Sequence, residues 1–254
     1  MTDKPQNKLF GDLLVSDESL HLTVVLVEPK DPRNIGAVAR AMSNLAVTDL
    51  RLVQPADFNL EIAKGVSCWG EEIVVNARRC ANLAEAVVDA HEVVGFASDS
   101  SSHRMSQRLL EEWASTLSTG REKRVALVFG SEEQGLRREH FPLCQNLIRI
   151  PSSSANPSYN LAQAVILALY AIRRVPLSAI GDDLKDLPTS GQLSQFTEMV
   201  LRTARDVGFL NDNSPEHIED MLVNITRRGR ISTRELKVLT GLFGMVHRSL
   251  KMRS

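Results

Sequence analysis

The sequence predicts an α/β protein: a largely parallel sheet with helices on both faces. Three observations lead there. Short apolar, β-branched runs alternate with segments of helical apolar spacing through the first two thirds of the chain. Polar residues and glycines gather where a strand-like run gives way to a helix-like one, the strand ends at which open α/β sheets bind ligands. With 254 residues, 43% hydrophobic and 24% charged, the chain can bury a full core in one large domain and a smaller one.

The elements follow in order. Residues 1–20 read as an extension. Leu22–Val27 is apolar and β-branched and stops before Pro29, which suits a buried strand. Asn34 can cap the next helix, whose apolar positions Ile35, Val38, Ala39, Met42 and Leu45 have helical spacing. Leu50–Val53 reads as a strand, Ile73–Val75 as a brief one, Leu83–Ala90 as a helix and Glu92–Phe96 as a strand. Arg124–Phe129 and Asn146–Ile150 complete the sheet, and the helix Leu161–Arg173 ends before Pro176. Residues 21–175 thus form the expected main domain. Residues 176–191 hold Pro176, Gly181, Pro188 and Gly191, a linker composition. Three further segments, 193–207, 215–226 and 233–250, have helical spacing and make 192–254 a small helical domain, with Ser232–Glu235 as the cap region of its last helix.

Composition narrows the function. The amino terminus has no apolar h-region and 161–172 is too short to span a bilayer, so a cytoplasmic location is expected. Cys68, Cys80 and Cys144 are odd in number and lack CxxC spacing, and the six histidines are scattered without HExxH. No disulfide framework and no metal site is expected. A nucleotide P-loop and GxGxxG are both absent. Net charge is −1, yet from Met221 onward Arg227, Arg228, Arg230, Arg234, Lys237, Arg248, Lys251 and Arg253 face Glu235 as the only acid. Such a basic end suits phosphate contacts and a solvated helix face equally.

Three stretches carry chemistry. Pro32–Arg40 places Asn34, Gly36 and Arg40 after the first strand; read alone, it is also ordinary cap and packing chemistry. Phe129–Leu136 puts Gly130 and Glu132 directly after a strong strand, where a carboxylate must face solvent, pair with a base or bind a ligand; pairing with Arg40 is the favoured reading. Asn156–Ala164 packs Ser158, Tyr159 and Asn160 between Ile150-Pro151 and an apolar helix, as a cap or as a loop that wraps a small ligand.

Together, P-x-N-x-G-x-x-x-R, F-G-x-E-x-x-G-L and I-P followed by N-P-S-Y-N-L-A resemble, in order and spacing, the three motifs of the TrmH branch of the SPOUT superfamily, over about Leu22–Arg174. The resemblance implies a trefoil-knotted α/β domain that binds S-adenosylmethionine and methylates RNA at the ribose 2′-oxygen, acting as a homodimer. The Asn-Leu-Ala-Gln-Ala-Val ending and the basic helical extension are more similar to the TrmJ type, which implies tRNA nucleotide 32 in the anticodon loop. It also implies Arg40 as the catalytic arginine, with Asn34, Glu132, Ser158 and Asn160 in the catalytic motifs. Phe96, Ala97, Ser98, Gly130, Ile150, Ser158, Tyr159 and Asn160 would line the methyl-donor pocket. Tyr159 departs from the family's usual Leu. Arg227, Arg228, Arg230, Arg234 and Lys237 would hold RNA. Because a guanidinium stays protonated, Arg40, held by Glu132, is expected to position the ribose and stabilise developing alkoxide charge. Alternatives are methylation of ribosomal RNA or another tRNA position, or a non-catalytic protein that binds RNA or senses adenosylmethionine.

Overall fold

The computed structural model describes residues 20–56, 58–97, 107–117, 123–174, 187–211, 216–228 and 231–251, with backbone alone at 216, 217, 227, 228 and 251. The first part runs β1 (Leu20–Val27), α1 (Pro32–Asn44), β2 (Asp49–Val53), α2 (Leu60–Ser67), a 3₁₀ turn (Cys68–Gly70), α3 (Glu71–Val75), β3 (Arg78–Cys80), α4 (Leu83–Ala86), β4 (Glu92–Phe96), β5 (Arg108–Leu109), α5 (Leu110–Ala114), β6 (Lys123–Phe129), a 3₁₀ helix (Arg138–Leu143), β7 (Asn146–Arg149) and α6 (Leu161–Arg174). The sheet order is β3-β2-β1-β6-β4-β7-β5 and every pair is parallel. All strands therefore end at one edge. The chain moves from β1 outward to β2 and β3, then returns past β1 to build the other half, so the switch point lies beside β1.

Strand alternation explains the two-layered core. In β1, Leu20, Leu22, Val24 and Leu26 face the layer containing α1 and α6, whereas Val25 and Val27 face the layer containing α4. β6 divides likewise, Val125, Leu127 and Phe129 to one side and Ala126 and Val128 to the other. Arg51 of β2 is the exception on the α4 side. It is 6% exposed, and it is satisfied by Asp49, Asp89 and the carbonyl of Ala86.

Three expectations are corrected. Asp31, not Asn34, caps α1: its carboxylate accepts from Arg33 N at 2.8 Å, and Pro32 occupies the first turn, where its missing N–H costs nothing. Residues 73–75 are the end of helix α3 rather than a strand, because Glu71 and Glu72 open a helical turn that three apolar residues cannot outvote. The helix from Leu83 stops at Ala86.

Helices α7 (Ser190–Asp206), α8 (Glu216–Arg228) and α9 (Thr233–Lys251) follow. Leu193, Phe196, Val200 and Leu236 form a separate apolar cluster, and Thr197 and Thr226 share a buried hydrogen bond at 2.8 Å. Helix α7 begins inside the span expected as linker: Thr189 caps it in a capping box with Gln192. Residues 176–186 of that span, and 1–19 of the expected extension, lie outside the described residues. Ser232 and Glu235 make the predicted cap of α9, the Ser232 Oγ accepting from Glu235 N and Glu235 Oε2 accepting from Ser232 N.

Candidate active site

The segments after β1, β6 and β7 leave the same edge of the sheet, β1 and β6 as neighbours and β7 beyond β4. Glu132, two residues beyond Gly130, reaches the β1–α1 junction. Its Oε2 accepts from Lys30 N at 2.9 Å, and its Oε1 accepts from Asp31 N at 3.3 Å and from Asn34 Nδ2 at 2.8 Å. Asn34 Oδ1 in turn accepts from Asn160 Nδ2 at 3.1 Å. Asn160 Oδ1 accepts from Ala162 N at 3.0 Å, and Gln163 Oε1 accepts from Asn160 N at 3.3 Å, so Asn160 also caps α6. One carboxylate sets the polarity of the whole relay. Glu132, when ionised, only accepts, so Asn34 must turn its NH2 toward it, leaving its oxygen for the NH2 of Asn160.

Burial by itself would raise the Glu132 carboxyl pKa, but the donors Lys30 N–H, Asn34 NH2 and Asp31 N–H outweigh it and hold the group below the ordinary glutamate value. The expected Glu132–Arg40 pair does not form. Asn34 and Arg40 lie six residues apart on α1, about 9 Å along the axis and about 120° around it, so only Asn34 faces Glu132. Arg40 stands on the exposed face of α1 and makes no hydrogen bond among the described residues.

The loop after β6 owes its shape to two glycines. A Cβ on Gly130 would lie 1.9 Å from the carbonyl of Gly135, so this side of Gly130 is filled by its own loop and it can meet a ligand only through backbone atoms. Gly135 takes φ +64° and closes the turn with a hydrogen bond from its N–H to Ser131 O at 2.8 Å. Gly36 serves helix packing instead: its Cβ would meet Ala63 O of α2 at 2.1 Å.

The loop after β7 bonds to itself. Tyr159 Oη donates to Pro151 O at 2.7 Å, Ser152 Oγ donates to Pro157 O at 3.1 Å, and Asn156 N donates to Ser153 O at 3.0 Å. The unusual tyrosine therefore ties the two ends of the loop together. Residues 151–160 are all exposed, and Ser158 makes no hydrogen bond among the described residues. Between the loops, the Phe96 and Phe129 rings stack at the ends of β4 and β6, with centroids 4.4 Å apart and planes within 9°. Ala97 N donates to Ile148 O at 3.1 Å, and half-buried Ile150 packs on the core. Ser98 lies outside the described residues. On the rim, ligand atoms of Glu28, Glu139 and His140 come within 4.8 Å of one another, but Arg137 pairs with both glutamates and already supplies the positive charge there.

The structure brings Asn34, Glu132 and Asn160 of the expected residues together, and adds three contacts the sequence did not announce: Asp31 as the cap, the backbone donors of Lys30 and Asp31, and the Tyr159–Pro151 tie. The aromatic pair was legible as two phenylalanines closing parallel strands.

Residues 21–170 match the SpoU rRNA Methylase family, a span that holds all three motif segments. The chain belongs to this family. It is 34% identical over 237 residues to a tRNA (cytidine/uridine/adenosine-2′-O-)-methyltransferase TrmJ of Pseudomonas aeruginosa (strain UCBPP-PA14), covering 87% of this chain and 91% of the relative. It is 27% identical to a tRNA (cytidine/uridine-2′-O-)-methyltransferase TrmJ of Klebsiella pneumoniae, covering 91% and 98%. The crystal structure of TrmJ from Z. mobilis ZM4 superposes with a TM-score of 0.77 at 25% identity, covering 89% of this chain and 98% of that one. For a SpoU-family chain, α7–α9 extend beyond the matched segment. There, Arg234 and Lys237 stand exposed, three residues apart on α9 and so on one face. The side chains of Arg227 and Arg228, and all of Arg230, lie outside the described residues.

Proposed function

We propose that this protein methylates the ribose 2′-oxygen of tRNA with S-adenosylmethionine as donor, at nucleotide 32 of the anticodon loop. The observation that carries the reading is the Glu132–Asn34–Asn160 relay, which joins the three motif segments into one site at the switch point of the sheet. The names of the TrmJ relatives support tRNA and the 2′-oxygen.

The residues fit the donor. The Phe96–Phe129 pair offers an apolar floor, and the exposed loop 151–160 offers hydrogen-bonding groups, with the buried backbone of Gly130 closing the end of β6. Phe96, Ala97, Ser98, Gly130, Ile150, Ser158, Tyr159 and Asn160 would hold it. When bound, S-adenosylmethionine supplies an electrophilic methyl group. The chain must bring the ribose hydroxyl in line with that group and stabilise the charge that develops on its oxygen. Arg40, which makes no hydrogen bond among the described residues, supplies the positive charge for ribose and phosphate. Glu132 acts at a distance: it fixes Asn34, which fixes Asn160 and with it the start of α6, so the loop beside the donor keeps its shape. Arg227, Arg228, Arg230, Arg234 and Lys237 take the tRNA body in a helical domain of residues 192–254. A trefoil knot in 21–175, a homodimer and a cytoplasmic location complete the reading. Among the described residues no helix is long and apolar enough to cross a membrane.

Comparing tRNA from cells with and without the protein tests the proposal. Loss of the alkali-resistant linkage after nucleotide 32, restored by the gene, supports it. An unchanged nucleotide 32 with a lost ribosomal RNA methyl group would move the substrate to ribosomal RNA.

A further inference from the structure

The two tryptophans of the chain are treated in opposite ways. Trp113 is 1% exposed and its Nε1 donates to Glu92 at 2.9 Å, whereas Trp69 is 82% exposed. An indole left in water forgoes the stabilisation that burial of a large apolar side chain brings. Its mount is nevertheless packed closely on α1. Trp69 lies at the centre of the 3₁₀ turn Cys68–Gly70, entered through Cys68 at φ +52°, a strained conformation for a residue with a side chain. On one side Ser43 Oγ donates to Trp69 O at 3.2 Å. On the other, Gly70 lies so close to α1 that a Cβ there would stand 2.5 Å from Ala39 O and 2.8 Å from Arg40 N. Ser43 is three residues beyond Arg40, on the same face of the helix. The turn is thus clamped to the stretch of α1 that carries Arg40, and its exposed indole stands one residue from the glycine that meets the Arg40 backbone.

We propose that Trp69 is a stacking platform for a nucleobase of the RNA substrate next to the ribose that Arg40 positions. The inference rests on the ribose-methylation reading. An exposed aromatic face next to a cation is the combination that takes an unstacked base together with its phosphate. The acidic neighbour, Glu71, is offset by Lys64 Nζ at 3.0 Å. Ile62 is also exposed nearby in sequence, which makes a second copy of this chain the competing occupant. Continuity with Arg40 favours the base.

The test uses the full chain with Trp69→Ala and Trp69→Phe. Methyl transfer to an unmodified tRNA transcript, tryptophan emission during tRNA titration and molar mass by light scattering are measured. Trp69→Ala should raise the KM for tRNA about tenfold, the scale of one base–aromatic stack, while kcat and the KM for S-adenosylmethionine stay unchanged. Trp69→Phe should recover most of the loss. Titration with tRNA should quench the wild type, but not Trp69→Phe, whose only emitter is Trp113. An unchanged KM for tRNA, or a fall in molar mass with Trp69→Ala that assigns the indole to a second copy, would overturn the proposal. Failure of the activity reading is distinguishable: it leaves the wild type without methyl transfer, whereas failure of this inference leaves the wild type active, with both variants equal to it or with Trp69→Ala reduced in molar mass.

Discussion

Asn34 Nδ2 donates to Glu132 Oε1 at 2.8 Å across 98 positions of sequence, and this side-chain contact, with the backbone donors of Lys30 and Asp31, links the segment after β1 to the segment after β6. The same amide accepts from Asn160 at 3.1 Å. Three parts of the chain with no local reason to meet are held by a side chain that must donate with one end and accept with the other.

That double role makes Asn34→Asp the informative substitution. It sets a second carboxylate against Glu132 and removes the side-chain donor that Asn34 offers it. Methyl transfer is expected to fall by about 100-fold, the scale of a displaced reacting geometry. Circular dichroism should remain native, because Asn34 is not the cap of α1. Asn34→Ala, which removes the relay without adding charge, should lose less activity than Asn34→Asp.

Glu132 predicts a pH dependence of stability. Its folded pKa is lowered, so its contribution is fully present above the unfolded value, near 4.5, and is lost as pH falls through the folded value. Thermal or urea unfolding measured from pH 6 downward should show this loss in the wild type. Glu132→Gln should be less stable by about 1–2 kcal/mol at neutral pH, because three donors then face a neutral acceptor, and it should lack this component of the acid loss.

Arg40 and Glu132 act separately in this structure, contrary to the simplest reading of the motifs. Arg40→Ala should abolish most of kcat and change stability by less than about 0.5 kcal/mol, as for an exposed side chain with no hydrogen bond among the described residues. In a double-mutant cycle of unfolding free energies, Arg40→Ala and Glu132→Gln should add to within about 0.5 kcal/mol. A larger coupling would reinstate the ion pair.

Tyr159 carries a prediction of its own. Removing only the bond to Pro151 O, Tyr159→Phe should weaken S-adenosylmethionine binding by calorimetry about threefold to tenfold, in proportion to one hydrogen bond that preorganises the loop. Global stability should barely change, because the loop is exposed throughout.

Most of the sheet was legible because β1, β4 and β6 are apolar on both sides, and a buried parallel strand has that composition. The stretch 60–75 was not. Its helices α2 and α3 are short and half exposed, and their shape depends on Gly36 admitting α2 against α1, which no local pattern announces. At the candidate site, each stretch alone also suited capping or packing, and only the order of the three together pointed to one site. Pairing was not legible. A helix separates Asn34 from Arg40 by its own geometry, and charge alone favoured the arginine while position favoured the amide. Arg51 was equally hidden: a cation inside an apolar strand makes sense only when Asp49 and Asp89 are seen to enclose it.

The most direct measurement incubates the purified protein with methyl-labelled S-adenosylmethionine and an unmodified tRNA transcript, then digests the RNA with alkali. Label is expected in an alkali-resistant dinucleotide containing nucleotide 32 with the wild type, and about 100-fold less with Asn34→Asp. Label that stays with a base instead of a ribose, or no transfer to tRNA at all, would contradict ribose methylation of tRNA.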